Sequence, residues 1–81
     1  MKIQVHFYAQ LRDIAGVSEL SVKVPQASSV ADVLEKLYQS KPMLRAHDKN
    51  ILIGSGVDFV ARNHVLSEDE ELAIMPPVQG G

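Results

Sequence analysis

The residues best suited to chemistry are the last six, Pro76-Pro77-Val78-Gln79-Gly80-Gly81. The two prolines restrict the backbone and favour an extended start to the tail. The two glycines have no Cβ, so only backbone surrounds the terminal carboxylate. Six extended residues span about 20 Å. We therefore expect the carboxylate to enter a narrow pocket of a partner while the folded part of the chain stays outside.

The chemistry that this tail suits is activation of its own carboxylate. A free carboxylate does not react with nucleophiles, but an acyl-adenylate carries a good leaving group, and a sulfur donor can then displace AMP. The alternative is that Gly80-Gly81 is an inert end, since terminal residues are commonly frayed. The Pro-Pro-Val-x-Gly-Gly pattern directly after a predicted strand favours the reactive interpretation.

The rest of the chain offers no second catalytic constellation. His6, His47 and His64 have no regular spacing and no cysteine companions, so we expect His6 and His64 to be surface residues and no metal to be bound. The Gly54-Ser55-Gly56 segment is too short for a phosphate loop and predicts a bend or a β-bulge. We therefore expect no bound cofactor and no catalysis by the isolated chain.

Length and composition favour a single small domain. The chain has 81 residues, 46% of them hydrophobic, and a net charge of −2. Its basic residues are scattered, which argues against nucleic-acid binding, and no apolar run approaches the length of a membrane span. The first residues alternate instead of forming a secretory signal, so we expect a cytoplasmic protein. The lack of cysteine excludes disulfides and thiolate nucleophiles.

The first half of the chain predicts an antiparallel strand pair followed by a helix. Apolar residues alternate with polar ones near the N-terminus and again up to Pro25, and a short helical turn, Ala9–Ala15, lies between the two strands and stops at Gly16. Ser29 and Asp32 have the spacing of a capping box at the start of the main helix, and Pro42 prevents the helix from continuing. The apolar stripe of that helix consists of Val30, Val33, Leu34, Leu37 and Tyr38.

The second half predicts three more strands around loops. Its predicted elements are an irregular loop over Met43–Asn50, a strand over Ile51–Ser55, a short edge strand over Val57–Ala61, a polar turn over Ser67–Asp69 and a last strand over Glu71–Met75. The order β-β-α-β-β-β predicts an α+β fold of the β-grasp, or ubiquitin-like, type. Four to five strands form its mixed sheet, and the helix packs across one face. We assign residues 1–75 to this domain and 76–81 to a flexible tail.

The sheet face opposite the helix is a candidate partner surface. Gln4, His6 and Tyr8 alternate with the core residues of the first strand, and Ala73 and Met75 do so in the last strand. Tyr8 and Met75 are therefore expected to be exposed and apolar, which suits a protein contact.

Two segments give the chain a family resemblance. Phe7-Tyr8-Ala9-Gln10-Leu11-Arg12-Asp13, followed by Gly16, and the closing segment from Leu66 to Gly81 resemble the small, sulfur-carrying subunits of molybdopterin synthase. The resemblance covers the whole chain and implies the β-grasp fold. It also implies that an ATP-dependent activating enzyme adenylates the terminal glycine. A sulfur donor protein then supplies the sulfur that converts this glycine to a thiocarboxylate.

The same resemblance implies partners. The thiocarboxylated tail would enter the large subunit and donate sulfur to precursor Z, a cyclic pyranopterin monophosphate, within a heterotetramer of two small and two large subunits. Gly81 matches the position that carries the thiocarboxylate, and Gly80 matches the position before it, where the lack of a side chain lets the tail pass a narrow channel. The position of Arg12 in the family motif implies a role in the partner interface, and the simpler alternative is a surface ion pair. The family's usual Asp-Gly-Asp turn is Glu68-Asp69-Glu70 here.

Three alternatives stay open. The chain could be a sulfur carrier for thiamine synthesis or tRNA thiolation, a ubiquitin-like modifier joined to lysines, or an interaction domain with an inert tail. The acidic run Glu68–Glu71 is predicted to be a solvated turn or a docking patch for a basic partner surface.

Overall fold

The computed structural model describes residues 1–77. The elements in chain order are β1 (Lys2–Phe7), α1 (Gln10–Ala15), β2 (Glu19–Lys23), α2 (Val30–Ser40), a 3₁₀ helix (Pro42–Asn50), β3 (Leu52–Ser55), β4 (Asp58–Phe59) and β5 (Glu71–Met75). The strands form one five-stranded sheet in the order β2-β1-β5-β3-β4. β1 and β5 run parallel, and the other neighbours run antiparallel. This mixed sheet with one main helix confirms the predicted architecture.

The two central strands bury the residues that the alternation predicted. Ile3 and Val5 of β1 and Leu72 of β5 are 0% exposed, and Phe7 and Ile74 are 2% exposed. Because β1 pairs with β5 in register, with Val5 beside Leu72, these side chains form one apolar surface. The core is therefore centred on the strand that leads into the C-terminal tail.

The helix α2 begins with the predicted cap. The Ser29 hydroxyl accepts a hydrogen bond from the Asp32 N–H at 3.3 Å, and the Asp32 carboxylate accepts one from the Ser29 N–H at 2.9 Å. These reciprocal bonds satisfy two amides that have no partner within the helix. The helix ends at Ser40, before Pro42. Every residue of the predicted apolar stripe is buried.

The loop or irregular turn predicted over Met43–Asn50 is wrong, because this segment belongs to the regular 3₁₀ helix Pro42–Asn50. Its anchors are Leu44, which is 3% exposed, and Asp48. The Tyr38 hydroxyl donates to the Asp48 carboxylate at 2.5 Å, and Arg62 donates to it at 2.7 Å. Burial and the hydrogen bond to Asp48 raise the pKa of Tyr38. Tertiary contacts with residues far along the chain thus hold the segment in place.

Of the bend or β-bulge predicted at Gly54-Ser55-Gly56, the bulge is wrong and the chain makes a tight turn. Ser55 pairs with Asp58, so Gly56 and Val57 form a two-residue hairpin turn. Gly56 has a φ of 63°, the left-handed conformation that this kind of hairpin turn requires at its first central residue. The glycines mark the end of a strand and a tight reversal, without an extra residue in the ladder.

The edge strand β4 is shorter than the predicted Val57–Ala61, and β3 begins one residue later than predicted, at Leu52. Beyond β4 the chain crosses to the start of α2. There the Arg62 and His64 carbonyls accept hydrogen bonds from the Ala31 and Val30 amides, each at 2.9 Å. The segment after β4 therefore supplies carbonyl acceptors to the N-terminal amides of α2, which have no partner within the helix.

Candidate functional site at the end of the last strand

The tail leaves the fold from a fixed point. Ile74 of β5 lies between Phe7 of β1 and Ile53 of β3, and its carbonyl accepts a hydrogen bond from the Tyr8 amide at 3.1 Å. Pro76 is half-buried and Pro77 is exposed, and both follow β5 directly. Because proline has no N–H, the ladder cannot continue through them. The predicted tail residues Val78, Gln79, Gly80 and Gly81 lie outside the described residues.

The sheet face opposite α2 carries an apolar surface beside this point. Strand register places Leu52 beside Met75, and the residue that follows β1, Tyr8, lies next to the same end of β5. One strand pair further, Phe59 lies beside Gly54. We call the side chains of Tyr8, Leu52, Phe59 and Met75 the open-face patch. Tyr8 is 51% exposed and Phe59 68% exposed.

Met75 is on the predicted face but is only half-exposed. The reason is Gly54, which lies beneath it in the neighbouring strand. A Cβ added at Gly54 would come within 3.1 Å of the Met75 Cε atom. The missing side chain gives Met75 room to lie against the sheet instead of standing out from it.

Leu52 and Phe59 are members of the patch that the sequence reasoning did not identify. Their signal was the alternation within β3 and β4, because outward residues in paired strands must share a face. The predicted edge strand contained Phe59, but its pairing partner was not known. Only the Gly54–Phe59 register brings Phe59 to the face that holds Tyr8 and Met75.

Arg12 does not form the predicted ion pair with any residue from 1 to 77. It is exposed near the end of α1, where its carbonyl accepts the Gly16 amide at 2.9 Å. Gly16 has a φ of 79°, which confirms the predicted left-handed stop. Within the described chain, no hydrogen bond or ion pair joins the Arg12 side chain to the open-face patch.

A cleft of about 440 Å³ lies at the base of the tail, and the sequence did not predict it. Three elements meet there: the start of α1, the end of the 3₁₀ helix and the residues after β5. Its lining residues are Gln10, Leu11, His47, Asn50, Ile51, Pro76 and Pro77. The base of the tail is thus bordered by polar side chains on one side and by the apolar open-face patch on the other.

The comparison with protein families agrees with this arrangement. The profile of the ThiS family matches residues 5–81, which include the tail. The chain belongs to the ThiS family.

Relatives of this ThiS-family chain are named molybdopterin synthase sulfur carrier subunit. The relative from Arabidopsis thaliana is 27% identical over 81 residues, covering 100% of this chain and 84% of its own length. The relative from Drosophila erecta is 30% identical over 83 residues, covering 100% of this chain and 92% of its own length. These relatives confirm the resemblance found at the two ends of the sequence.

Solved structures confirm the β-grasp fold. The crystal structure of SAMP1 from Haloferax volcanii has a TM-score of 0.89 and 26% identity, with 100% of both chains covered. A protein–protein complex of subunits 1 and 2 of molybdopterin-converting factor from Helicobacter pylori contains a chain with a TM-score of 0.71 and 20% identity, again with 100% of both chains covered. The second likeness shows the fold alone.

Two histidines of this ThiS-family chain pair with carboxylates. His6 Nε2 lies 2.5 Å from Glu71 Oε1, and His64 Nε2 lies 2.8 Å from Glu70 Oε2. His6 and His64 are therefore partly exposed surface residues, as predicted, and each ring nitrogen lies within hydrogen-bond distance of a glutamate carboxylate. Within residues 1–77, no group of three or more His, Cys, Asp or Glu side chains could hold a metal ion.

The acidic run is only partly solvated. Glu70 accepts hydrogen bonds from the Ser55 hydroxyl at 2.5 Å and from the Ser67 amide at 2.8 Å, in addition to His64. Burial raises the pKa of Glu70, but these hydrogen bonds outweigh it, so the pKa lies below its ordinary value. Two carboxylates of the run, Glu70 and Glu71, are thus engaged within the fold, while Glu68 and Asp69 are exposed.

The turn before β5 has the geometry that a glycine would favour. Asp69 has a φ of 70°, in the left-handed region. Aspartate tolerates this conformation better than most residues because its short side chain can bond locally. The turn therefore forms at the predicted position with an aspartate in the left-handed conformation.

None of the helices in residues 1–77 is long and apolar enough to cross a membrane.

Proposed function

We propose that this chain is the sulfur-carrier subunit of a molybdopterin synthase. The observation that carries the proposal is the ThiS-family match, which extends through Gly81. Relatives named for this role align with the whole chain. The exit of the tail from the central strand β5, between β1 and β3, supports it, because a reagent carried at the end of a chain needs a fixed base.

In the proposed mechanism the chain's own reagent is the carboxyl group of Gly81. An ATP-dependent activating enzyme adenylates this group, with release of pyrophosphate. Sulfide-level sulfur supplied by a sulfur donor protein then attacks the acyl carbon, AMP leaves, and the product is a thiocarboxylate. The large subunit receives the tail and directs its sulfur to precursor Z, Gly81 returns to a carboxylate by hydrolysis, and two such transfers supply two sulfur atoms. The isolated chain does not catalyse these steps, and we propose that they take place in the cytoplasm.

Each part of the tail has a role in this scheme. Pro76 and Pro77 keep the start of the arm extended, which limits the conformational entropy lost when it enters the large subunit. Val78 and Gln79 give length, and Gly80 allows passage through a narrow channel. Since the six residues can span about 20 Å, the domain of residues 1–75 stays outside.

The open-face patch is the proposed contact for the large subunit. Aromatic side chains in the centre of an interface commonly carry much of its binding energy. Tyr8 and Phe59 are exposed aromatics on the face from which the tail departs, and Met75 lies next to them. Arg12 contributes at the rim of this contact. The proposed assembly has two small and two large subunits.

Mass spectrometry of the protein isolated from its host tests the proposal. Exchange of one terminal oxygen for sulfur supports a carrier, and co-purification with a large subunit assigns it to molybdopterin synthase instead of thiamine or tRNA thiolation. An unmodified carboxylate under conditions of active molybdopterin synthesis contradicts the proposal. One residue appended after Gly81 should abolish sulfur transfer, whereas Lys36→Ala, on the exposed side of α2 and outside the cleft at the base of the tail, should preserve it.

A second candidate is a protein modifier. This function is favoured by the similarity to SAMP1 of Haloferax volcanii, because a second similar crystal structure is named H. volcanii small archaeal modifier protein 1. The same mass spectra separate the two functions, because a modifier would be joined to a lysine of another protein through an isopeptide bond. An inert interaction domain would show neither product.

A further inference from the structure

The outer edge of β2 is an open edge of the sheet. Among residues 1–77, only β1 pairs with β2. An open edge presents unpaired amides and carbonyls that can accept another strand. β2 contains no proline, so its outward amides are all available.

The bonds to β1 identify which groups face outward. Val24 and Met1 exchange two backbone hydrogen bonds, at 3.0 and 2.8 Å, and at the other end the Phe7 amide donates to the Ser18 carbonyl at 2.8 Å. Main-chain groups alternate in direction along an antiparallel strand. The residues with outward amides and carbonyls are therefore Glu19, Ser21 and Lys23.

The sequence of this edge, Glu19-Leu20-Ser21-Val22-Lys23, is complementary to itself in an antiparallel arrangement. If Ser21 lies opposite Ser21 of a second copy, Glu19 of each copy lies opposite Lys23 of the other. All three outward residues then form hydrogen-bonded pairs. Any shift of register removes the match between opposite charges.

The two charged side chains are free to make this contact. Glu19 contacts the Gln4 amide at 2.5 Å and His6 at 4.0 Å, but both contacts use the Oε2 oxygen. Lys23 has no ion pair within residues 1–77 and lies directly opposite Lys2 in β1. Because like charges opposite each other are unfavourable, a carboxylate beside Lys23 relieves this repulsion.

We propose that two copies of this chain associate through their β2 edges, with Glu19 of each copy paired with Lys23 of the other. The two sheets become one continuous sheet with both α2 helices on the same face. An edge of 5 residues buries far less than the roughly 800 Å² per partner of a stable interface, so the association is weak. This inference goes beyond the proposed function, because β2 forms one edge of the sheet while the tail leaves from its centre.

Sedimentation equilibrium of the full chain at rising concentration tests the inference. We expect a monomer–dimer equilibrium with a dissociation constant of about 1 mM or tighter. Glu19→Lys and Lys23→Glu should each weaken self-association about tenfold or more, because each places like charges opposite each other. An equimolar mixture of the two variants should restore the wild-type affinity, since every Lys of one copy then faces a Glu of the other.

The matched control is Lys49→Glu, which makes the same change of charge on the exposed end of the 3₁₀ helix. It should leave self-association unchanged, as should removal of residues 76–81, so failure of the proposed function does not affect this test. Circular dichroism confirms that each variant is folded. A wild-type chain that stays monomeric, a mixture no tighter than the single variants, or an equal loss in Lys49→Glu would overturn the inference.

Discussion

The two faces of the central strands differ although alternate residues of the same segments form them. On the face covered by α2, Val5 and Leu72 are 0% exposed. On the open face, the side chains of their neighbours His6 and Glu71 lie 2.5 Å apart, and Tyr8 and Met75 form part of an apolar patch. We therefore expect substitutions on the covered face to lower stability more than substitutions on the open face. The tail starts from the strand that both faces share.

The largest expected effect is on the covered face. Leu72→Ala removes a fully buried side chain from the centre of the core and should lower the free energy of unfolding by about 2–5 kcal/mol. Urea unfolding followed by circular dichroism measures the change. Ala73 of the same strand is half-exposed on the open face, so Ala73→Ser serves as the control. An equal loss in the two variants would contradict the division between the faces.

The next effect is on binding. Tyr8→Ala should weaken affinity for the large subunit about tenfold, yet change the free energy of unfolding by less than about 1 kcal/mol, because the side chain is 51% exposed. Calorimetric titration measures the affinity. Val57→Ala is the matched control, since Val57 is a fully exposed apolar residue at the hairpin turn. Unchanged affinity in Tyr8→Ala would remove the open-face patch from the proposed interface.

Glu70 sharpens the comparison because it is a polar group that joins the turn before β5 to Ser55 at the end of β3 and to His64. Its folded-state pKa lies below the ordinary value of 4.5, so its contribution to stability is present above that pH and is lost as the pH falls through the folded-state pKa. Glu70→Gln should lower stability at pH 7 by about 1.5–3 kcal/mol. It should also make stability less dependent on pH below about 4.5.

Urea unfolding at pH values from neutral to acidic measures this dependence. Glu68→Gln is the control, because Glu68 is exposed and belongs to the same acidic run. If Glu70→Gln and the wild type lost stability in parallel as the pH falls, the network would contribute nothing specific to the ionised carboxylate.

The smallest effect is expected at the turn before β5. Asp69→Gly should raise the free energy of unfolding by about 0.5 kcal/mol, because glycine adopts the observed φ of 70° without steric cost. Thermal unfolding measures the shift. Glu68→Gly, one residue earlier and without a positive φ, should bring no gain. Stabilisation of both variants would mean that the turn conformation is not the cause.

Local patterns predicted the elements that depend on neighbours in sequence. The last strand was predicted at its observed bounds, Glu71–Met75, and the Ser29 cap formed as expected. Strand alternation and helix caps act over a few residues, so a short segment contains the information that determines them. The face assignment of Tyr8 and Met75 followed from the same alternation.

The predictions failed where distant residues determine the structure. The 3₁₀ helix depends on Asp48, whose partners are Tyr38 and Arg62. The short β4 reflects the hydrogen bond from the Val30 amide to the His64 carbonyl. Neither contact has a periodic signal in the sequence, because its members come from separate elements.

The sequence by itself determined the order of the strands along the chain, the buried stripe of α2 and the composition of the tail, because each depends on side-chain type and local backbone preference. The antiparallel pairing of β1 with β2 was also predicted. Tertiary structure alone decided which strands became neighbours of β5 and β4. The pairing of β5 with β1 and β3 brought Leu52 to Met75, and the β3–β4 register brought Phe59 to the same face. Pairing depends on contacts across tens of residues, so the surface beside the tail could be known only from the folded chain.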